Sequence, residues 1–338
     1  MALVYKIIYF LSKILIKFLG KSSSPNLLHA LINGIKFKDQ LFTFNLRPKK
    51  IINHSRLFGS DFNKNVSIII QGNLIFEEDF TLNTVKLYLS IYSEVDIILS
   101  TWDEYSETQL IPFKELGVSL ILNKKPDYYG LANINLQMKS TVSGLDLALK
   151  KGKKYTIKSR TDQRFYGLNI IDGFICLLNS FPKSKENHSI SRIITTSLGS
   201  YATRMYSLSD MFQFGETLDL KEFWGADFQQ KSQIDNYFTN KEKTYIESIE
   251  FLPEVYLITN FIKKCGVEIN WSFDQSNKII ADYFLVVDRQ FIDIFWNKYT
   301  LNERWKEYYN SIDELVEYTF KDWLRDYSKN NSAILAKA

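Results

Sequence analysis

The sequence predicts an α/β fold, in which helices flank a mostly parallel, twisted sheet. Two observations support this class. Short β-branched runs alternate with longer segments whose apolar residues recur at helical spacing. From residue 65 onward these segments follow the order strand, helix, strand, strand, helix, strand. Because parallel neighbours need crossover connections, the helical segments fit between the strands of one sheet.

The first half of the sheet is predicted from four apolar runs. The second of its two helices ends at Lys150-Lys151-Gly152, which is typical of a helix C-terminus. The strands are Val66–Ile70, Val95–Trp102, Val118–Leu122 and Tyr155–Ile157, and the helices are Phe80–Tyr92 and Asn133–Lys151.

The second half has weaker signals of the same kind. No internal repeat is present, which excludes a solenoid. The predicted helices are Leu168–Ser180, Lys243–Cys265 and Asn302–Tyr327, and the predicted strands are Arg192–Thr196 and Ile280–Val287.

Composition narrows the classes of function. The chain has 338 residues, of which 45% are hydrophobic and 24% charged, so it is expected to fold. Its net charge of +4 favours an anionic small molecule or a membrane surface over a nucleic acid. The cysteines and histidines are scattered, which predicts neither a zinc site nor a disulfide framework and favours the cytoplasm. They are Cys176, Cys265, His29, His54 and His188.

Residues 1–21 are predicted to form an amphipathic helix that lies on a membrane surface. Four lysines fall on one side of this helix and leave the opposite side apolar: Lys6, Lys13, Lys17 and Lys21. Each lysine near anionic lipid contributes about 1 kcal/mol. Two alternatives stay open, a helix docked on the protein body and a cleaved signal peptide ending near Ser22–Pro25. Residues 22–64 are predicted to be a linker with peripheral elements.

The segment Lys158–Arg164 carries the strongest chemical signal. It follows the strand Tyr155–Ile157, at the edge where open α/β sheets bind ligands. Arg160 and Arg164 flank Asp162, and arginine forks match phosphate oxygens, while a carboxylate can hold a divalent cation. These residues predict a diphosphate site. The alternative is a surface ion-pair cluster, and exposure to solvent is expected for Arg164.

The ends of the first two predicted strands supply further candidates. Gln71, Gly72 and Asn73 form a glycine-containing turn where a nucleotide could lie against the backbone. Thr101 and Trp102 end the neighbouring strand. The alternatives are a simple tight turn at Gly72 and a core position for Trp102.

Seven stretches, in order over roughly residues 65 to 300, resemble the WavE-type bacterial lipopolysaccharide-synthesis proteins. These proteins are similar to nucleotide-sugar glycosyltransferases of the GT-A type. The stretches are VSIIIQGN (66–73), IILSTW (97–102), NINLQMKSTVSGLDL (133–147), YTIKSRTDQRF (155–165), LSDMFQFG (208–215), PEVYL (253–257) and WNKY (296–299).

The resemblance implies that residues 65–338 form a GT-A-like glycosyltransferase domain. Such an enzyme takes a nucleotide sugar as donor, and a growing lipopolysaccharide, O-antigen, capsule or lipid-linked glycan as acceptor. The scattered cysteines and the helix predicted over residues 1–21 together indicate a cytoplasmic protein, peripheral on the inner membrane.

Asp162 stands where GT-A enzymes carry an acidic pair that holds a metal ion, here Mg²⁺ or Mn²⁺. Arg160 replaces the first acid of that pair. Either Asp162 binds a cation, or Arg160 neutralises the diphosphate directly and Asp162 binds ribose.

Asp210 and Glu254 match the family's pattern as candidates for the catalytic base. An acceptor hydroxyl needs such a base to become nucleophilic, if the reaction inverts the anomeric centre. Glu254 follows Pro253, so an ordinary helix start is the alternative for it.

Two other functions remain open at this stage. The grouping Arg160-Asp162-Arg164 would also suit a phosphosugar or nucleotidyl transferase of the same pathway. The second open function is a catalytically silent scaffold that residues 1–21 recruit to the membrane.

Overall fold

The computed structural model describes residues 9–14, 17, 62–183, 189–297 and 316–330. Contacts divide the chain into two units, residues 1–48 and 49–338. In the first unit, residues 9–14 and 17 are helical, and the rest of the predicted 1–21 helix lies outside the described residues. No helix among the described residues has both the length and the apolarity to cross a bilayer. Membrane attachment of this segment stays a prediction.

A seven-stranded sheet forms the centre of the second unit, in the order β3-β2-β1-β4-β7-β6-β8. Among the described strands of this sheet, β7 alone runs antiparallel to its neighbours. The prediction of a mostly parallel α/β sheet is confirmed. The strands are β1 Val66–Gln71, β2 Asp96–Trp102, β3 Ser119–Asn123, β4 Tyr155–Arg160, β6 Ile193–Thr196, β7 Gln213–Glu216 and β8 Phe284–Val287.

Helices cover both faces of this sheet and connect its strands. They are α1 Phe80–Ile91, α2 Glu107–Lys114, α3 Ile134–Lys150, α4 Ile170–Ser180, α5 Thr217–Trp224, α6 Lys231–Thr239, α7 Tyr245–Ile249, α8 Pro253–Lys264, α9 Phe273–Tyr283, α10 Arg289–Ile292 and α11 Phe320–Asn330.

Strand register places the carboxyl ends of β1 and β4 at one level, beside Ser100 of β2. Gln71, the last residue of β1, pairs with Ser100 of β2 on one side and with Arg160 of β4 on the other. A second, two-stranded sheet begins just past this edge, where β5 (Gln163–Phe165) runs antiparallel to β9 (Ile294–Trp296). The carboxyl ends of β1 and β4 therefore lie next to the residues around 162.

The core explains why β1 is central. Every residue of β1 is buried, as expected for a β-branched run covered on both faces. Helix α3 packs closely on it because position 144 is glycine: a Cβ there would lie 2.7 Å from Ile69 Cγ2. This close approach fixes how α3 lies over the strand ends.

Two predicted elements have different bounds, for local reasons. The helix predicted over Lys243–Cys265 is two helices, α7 and α8, because Pro253 lacks an N–H and starts a new helix. The strand predicted over Ile280–Val287 begins only at Phe284, since the preceding residues end α9. A short apolar run does not distinguish a buried helix end from a strand.

Other elements carried too little signal. Strand β7 (Gln-Phe-Gly-Glu) lacks β-branched residues, and α2 contains Pro112, so neither was predicted. Of the helix predicted over Asn302–Tyr327, residues 302–315 lie outside the described residues. Residues 316–319 are not helical, and α11 begins at Phe320.

Gly144→Val tests the packing of α3 on β1. The added side chain must displace Ile69, and overpacking of this kind costs about 1–3 kcal/mol. We expect the free energy of unfolding in urea to fall by that amount. Ser143→Val, one residue away and half-buried, is the matched control. If both variants lost the same free energy of unfolding, valine would destabilise the helix itself, and the contact with Ile69 would not be the cause.

Candidate active site

The turn after β1 is built around Gly72. Its φ of +121° favours glycine, and a Cβ there would lie 2.9 Å from Thr161 Oγ1. The Gly72 N–H donates to the Ser100 carbonyl (3.1 Å), and Thr101 Oγ1 donates to the Gly72 carbonyl (2.8 Å). Gly72 and Thr101 therefore fix each other at the strand ends. In these contacts Thr101 shapes the turn.

Gln71 and Asn73 lie on either side of this glycine and differ in exposure. Gln71 is buried, and its Oε1 accepts a hydrogen bond from Ser140 Oγ (2.8 Å) of α3. Its carbonyl accepts from the Thr161 N–H (3.0 Å), which joins β1 to the residues after β4. Asn73 is exposed at the tip of the turn. Asn73 is thus the member of this group whose side chain is open to a ligand.

Trp102 is a core residue, so the prediction that it contacts the nucleotide is corrected. Its side chain is 2% exposed and presents no open ring face to a base. The alternative given for Trp102, a core position at the end of a buried strand, is the one observed.

Arg160 and Asp162 form a bidentate ion pair at the carboxyl end of β4. Arg160 Nε and Nη2 donate to Asp162 Oδ1 and Oδ2, each at 2.9 Å. Trp296 Nε1 also donates to Asp162 Oδ2 (3.0 Å), and the Arg160 guanidinium lies 5.5 Å from the centroid of the Trp296 ring. The side chains of Arg160 and Asp162 are 20% and 14% exposed, so the pair is partly open to solvent.

The Asp162 carboxylate is an anion at neutral pH. Burial opposes its ionisation, but the hydrogen bonds and positive charge of Arg160, together with the Trp296 N–H, hold its pKa below the usual value. The same contacts fix the orientation of the guanidinium.

This donor set is a poor fit for a divalent cation, and a role for Asp162 as a metal ligand stays a prediction. Both Asp162 oxygens already accept hydrogen bonds from Arg160 or Trp296. No group of three or more potential ligands (His, Cys, Asp or Glu) that could hold a metal occurs among the described residues. Arg160 places a fixed positive charge where a second acid would be needed.

Arg164 is buried, so the expectation that it is exposed is wrong. It is 4% exposed, with Nε donating to Thr84 Oγ1 (2.9 Å) and Nη2 to the Phe80 carbonyl (2.9 Å). The guanidinium also lies 4.4 Å from the Phe80 ring centroid. These contacts tie β5 to the first turn of α1, which makes Arg164 a structural residue and not a ligand-binding one.

Lys158 is the central residue that sequence reasoning missed. It is fully buried on β4, its Nζ donates to the Asp210 carbonyl, and it lies 4.2 Å from the centroid of the Trp224 ring. Burial lowers its pKa from 10.5 to about 7, despite the opposing effect of Asp210 and Asp162. Because Arg160 also acts on this pKa, Lys158 lies within electrostatic range of all three.

The sequence did contain a signal for Lys158. Lys158 lies two residues before Arg160, so both side chains extend from the same face if the strand continues past Ile157. A buried ammonium beside a predicted phosphate site is unusual for a purely structural residue.

Asp210 is half-buried beside the start of α3. Its Oδ2 accepts a hydrogen bond from Gln137 Nε2 (3.1 Å), while its carbonyl holds Lys158. The other polar atom of this amide, Gln137 Oε1, is buried and has no hydrogen-bond partner among the described residues. Buried acceptors of this kind are normally satisfied, so this oxygen is an exception beside Asp210.

Glu254 is the second residue of α8, and its Oε1 accepts from Arg204 Nη1 (2.8 Å). Burial raises the pKa of Glu254, and the charge of Asp210 raises it further. The two predicted acids, Asp210 and Glu254, therefore share one electrostatic environment, although they lie on different elements. Arg204 is a second residue that the sequence did not single out.

A family model described as WavE lipopolysaccharide synthesis matches residues 66–336. No curated protein matches the chain.

Solved structures with some similarity include three nucleotide-handling enzymes. A 4-diphosphocytidyl-2C-methyl-D-erythritol synthase from Anaerococcus prevotii is 12% identical and has a TM-score of 0.32, with 61% of this chain and 99% of that chain covered. A glucose-1-phosphate thymidylyltransferase assigned in Bacillus anthracis is 10% identical (TM-score 0.35; 78% and 94% covered). A cytidylyltransferase from Leptospira borgpetersenii is 13% identical (TM-score 0.33; 80% and 94% covered). At these values the likeness carries no conclusion about activity.

The pH dependence of stability tests the buried state of Lys158. Its pKa is lower in the folded chain than in the unfolded chain, so the unfolded chain binds more protons between about pH 7 and 10.5. The free energy of unfolding should therefore rise with pH in this window, by up to about 1.4 kcal/mol per pH unit from this residue. We expect urea unfolding of Lys158→Met at pH 7, 8 and 9 to lack that contribution.

Lys86→Met, on helix α1, is the matched control and should keep the slope of the unaltered protein. Identical slopes for Lys158→Met and the unaltered protein would contradict a buried, partly charged ammonium at this position.

Proposed function

Because the chain belongs to the WavE lipopolysaccharide synthesis family, we propose that it is a glycosyltransferase that uses a nucleotide-sugar donor. Its acceptor is a growing surface polysaccharide or lipid-linked glycan. One observation supports this above all: at the carboxyl end of β4, Lys158 donates to the Asp210 carbonyl two residues before Arg160, which is paired with Asp162. Two cationic side chains that could bind a diphosphate, Arg160 and Lys158, thus accompany Asp210, an acid that could deprotonate the acceptor.

The donor diphosphate is proposed to bind at Arg160, next to the Gly72 turn. Asp162 and Trp296 hold the guanidinium in position, so little side-chain entropy is lost when a phosphate binds. Lys158 adds positive charge within the same site. The exposed Asn73 is proposed to contact the nucleotide. The charge of a leaving diphosphate is then balanced by side chains of the protein.

Asp210 is proposed as the general base. In the transfer, the acceptor oxygen forms a bond to the anomeric carbon, and the bond from that carbon to the donor's phosphate oxygen breaks. The acceptor hydroxyl proton passes to Asp210, and the nucleoside diphosphate leaves with the electron pair. Lys158 and Gln137 fix Asp210 through its carbonyl and its Oδ2.

Glu254 is the alternative base. Its raised pKa suits proton uptake, but its Oε1 is already bonded to Arg204. Asp210 is therefore preferred, and Glu254 with Arg204 is proposed to shape the wall behind it.

Donor binding tests the proposal first. Titration calorimetry with a panel of UDP-, GDP-, dTDP- and CMP-sugars should show binding of at least one donor. Arg160→Ala should weaken that binding about 10- to 100-fold, because a hydrogen bond to a charged group contributes about 1.5–3 kcal/mol. EDTA should leave the affinity unchanged. Lys114→Ala, which removes an ion pair with Glu107 on the surface, is the control.

Absence of binding to every donor, with folding intact, would contradict the proposal. A requirement for Mg²⁺ or Mn²⁺ would contradict the role given to Arg160.

The chemical step separates Asp210 from Glu254. Asp210→Asn should lower kcat about 10²- to 10⁴-fold, because the amide cannot accept the proton, and should leave donor affinity within about twofold. Glu254→Gln is the matched comparison. The reverse ranking of the two variants would assign the base to Glu254. Mass analysis of the product should show sugar addition without phosphate, since retained phosphate would indicate a phosphosugar or nucleotidyl transferase.

A further inference from the structure

An open cleft of about 620 Å³ lies beside helix α8. None of the proposed donor or base residues lines it. Its walls are the segment 227–233, the start and one face of α8, and Trp271. Aromatic rings and polar side chains alternate around it: Asp227, Phe228, Gln230, Gln233, Glu250, Phe251, Tyr256, Thr259, Asn260, Lys263 and Trp271.

Hydrogen bonds fasten the two long walls of this cleft to each other. Tyr256 Oη donates to the Asp227 carbonyl (2.9 Å), and Gln229 Nε2 donates to the Phe251 carbonyl (2.8 Å). Gln229 is itself buried, and its backbone N–H donates to Asn135 Oδ1 (2.9 Å) on α3. The cleft is thus a preformed feature of the fold and not a gap between loosely placed loops.

Trp271 forms the end of the cleft in a conformation that a bulky residue rarely adopts. Its φ is +50°, and it packs edge-to-face against Tyr206, with ring centroids 5.5 Å apart. Left-handed backbone at a large side chain persists where surrounding structure enforces it, and such positions cluster at ligand sites. Tyr206 belongs to the segment 204–210 that also carries Arg204 and Asp210, which connects the cleft to the proposed base.

The charges of the cleft select the class of ligand. Asp227 and Glu250 are acidic, and Lys263 is the one cation among the lining residues, where its charge partly offsets that of Glu250. An anionic phosphate would meet net negative charge here. Aromatic faces with planar amides, such as Asn260 and Gln233, instead match the C–H faces and hydroxyls of a sugar.

We infer that this cleft binds neutral sugar units of the acceptor glycan, and so presents the chain end to Asp210. The inference rests on the proposed function, which supplies the reason for a saccharide. It assigns Trp271 and Tyr256 as platforms for sugar rings, and Asn260 and Gln233 as hydrogen-bonding partners. The volume is in the range of small-ligand sites and exceeds what one sugar ring fills.

Saturation-transfer NMR on the full chain tests this site. The probes are maltotriose, cellobiose, chitobiose and a dephosphorylated lipopolysaccharide core oligosaccharide, with inorganic diphosphate as the anionic comparison. We expect transfer from aromatic protons to at least one saccharide, and a loss of affinity of at least tenfold in Trp271→Ala. Asn260→Ala, a smaller change on the cleft surface, should weaken binding as well and protects the test against misfolding of the tryptophan variant.

Phe238→Ala is the matched control, because Phe238 is 65% exposed on α6 and does not line the cleft. No transfer to any saccharide, or transfer that both cleft variants leave unchanged, would overturn the inference, as would diphosphate displacing the sugars.

Arg160→Ala distinguishes this inference from the proposed function. It should weaken donor binding about 10- to 100-fold and leave saccharide binding unchanged. Saccharide binding in a protein that binds no nucleotide sugar would support the cleft and contradict the transferase. Donor binding without saccharide binding would support the transferase and contradict the role of the cleft.

Discussion

The site depends on the contacts of the buried Lys158 ammonium. A lysine that is fully removed from solvent is costly unless its charge is compensated, and here the Asp210 carbonyl and the Trp224 ring supply part of that compensation. The rest comes from Asp210 and Asp162, which favour the charged form while Arg160 opposes it. Lys158 thus interacts both with the proposed diphosphate residues, Arg160 and Asp162, and with the proposed base, Asp210. A bound anion would stabilise its charged form.

The fold places this group by register and close packing. Gln71 and Arg160 stand side by side at the ends of β1 and β4, and Gly72 lets Thr161 approach the turn between them. Gly144 brings α3 onto β1, which positions Gln137 against Asp210. Under the proposed function, Arg160 and Lys158 would together balance the charge of the donor diphosphate, while Asp162 holds the arginine in position.

Much of this could be predicted from the sequence, and the exceptions have physical causes. The β-branched runs of β1 to β4 and the periodic helices α1 and α3 were evident, because their own residues determine them. Strand β7 and the roles of Arg164 and Trp102 depend on partners distant in the chain. An arginine near a strand end has the same sequence signature whether it faces solvent or, like Arg164, bonds to the backbone of α1. Lys158 follows the strand predicted over Tyr155–Ile157, and its burial depends on Trp224 and Asp210, which lie far along the chain.

The titration of the Lys158 side chain by NMR, with and without a nucleoside diphosphate, tests the central claim most directly. The free protein should show a pKa of about 7 for this ammonium. A diphosphate bound at Arg160 should raise that pKa, because a nearby negative charge favours the protonated form. A pKa that is the same in the free protein and in the complex would contradict the account, since the phosphates would then lie away from Lys158.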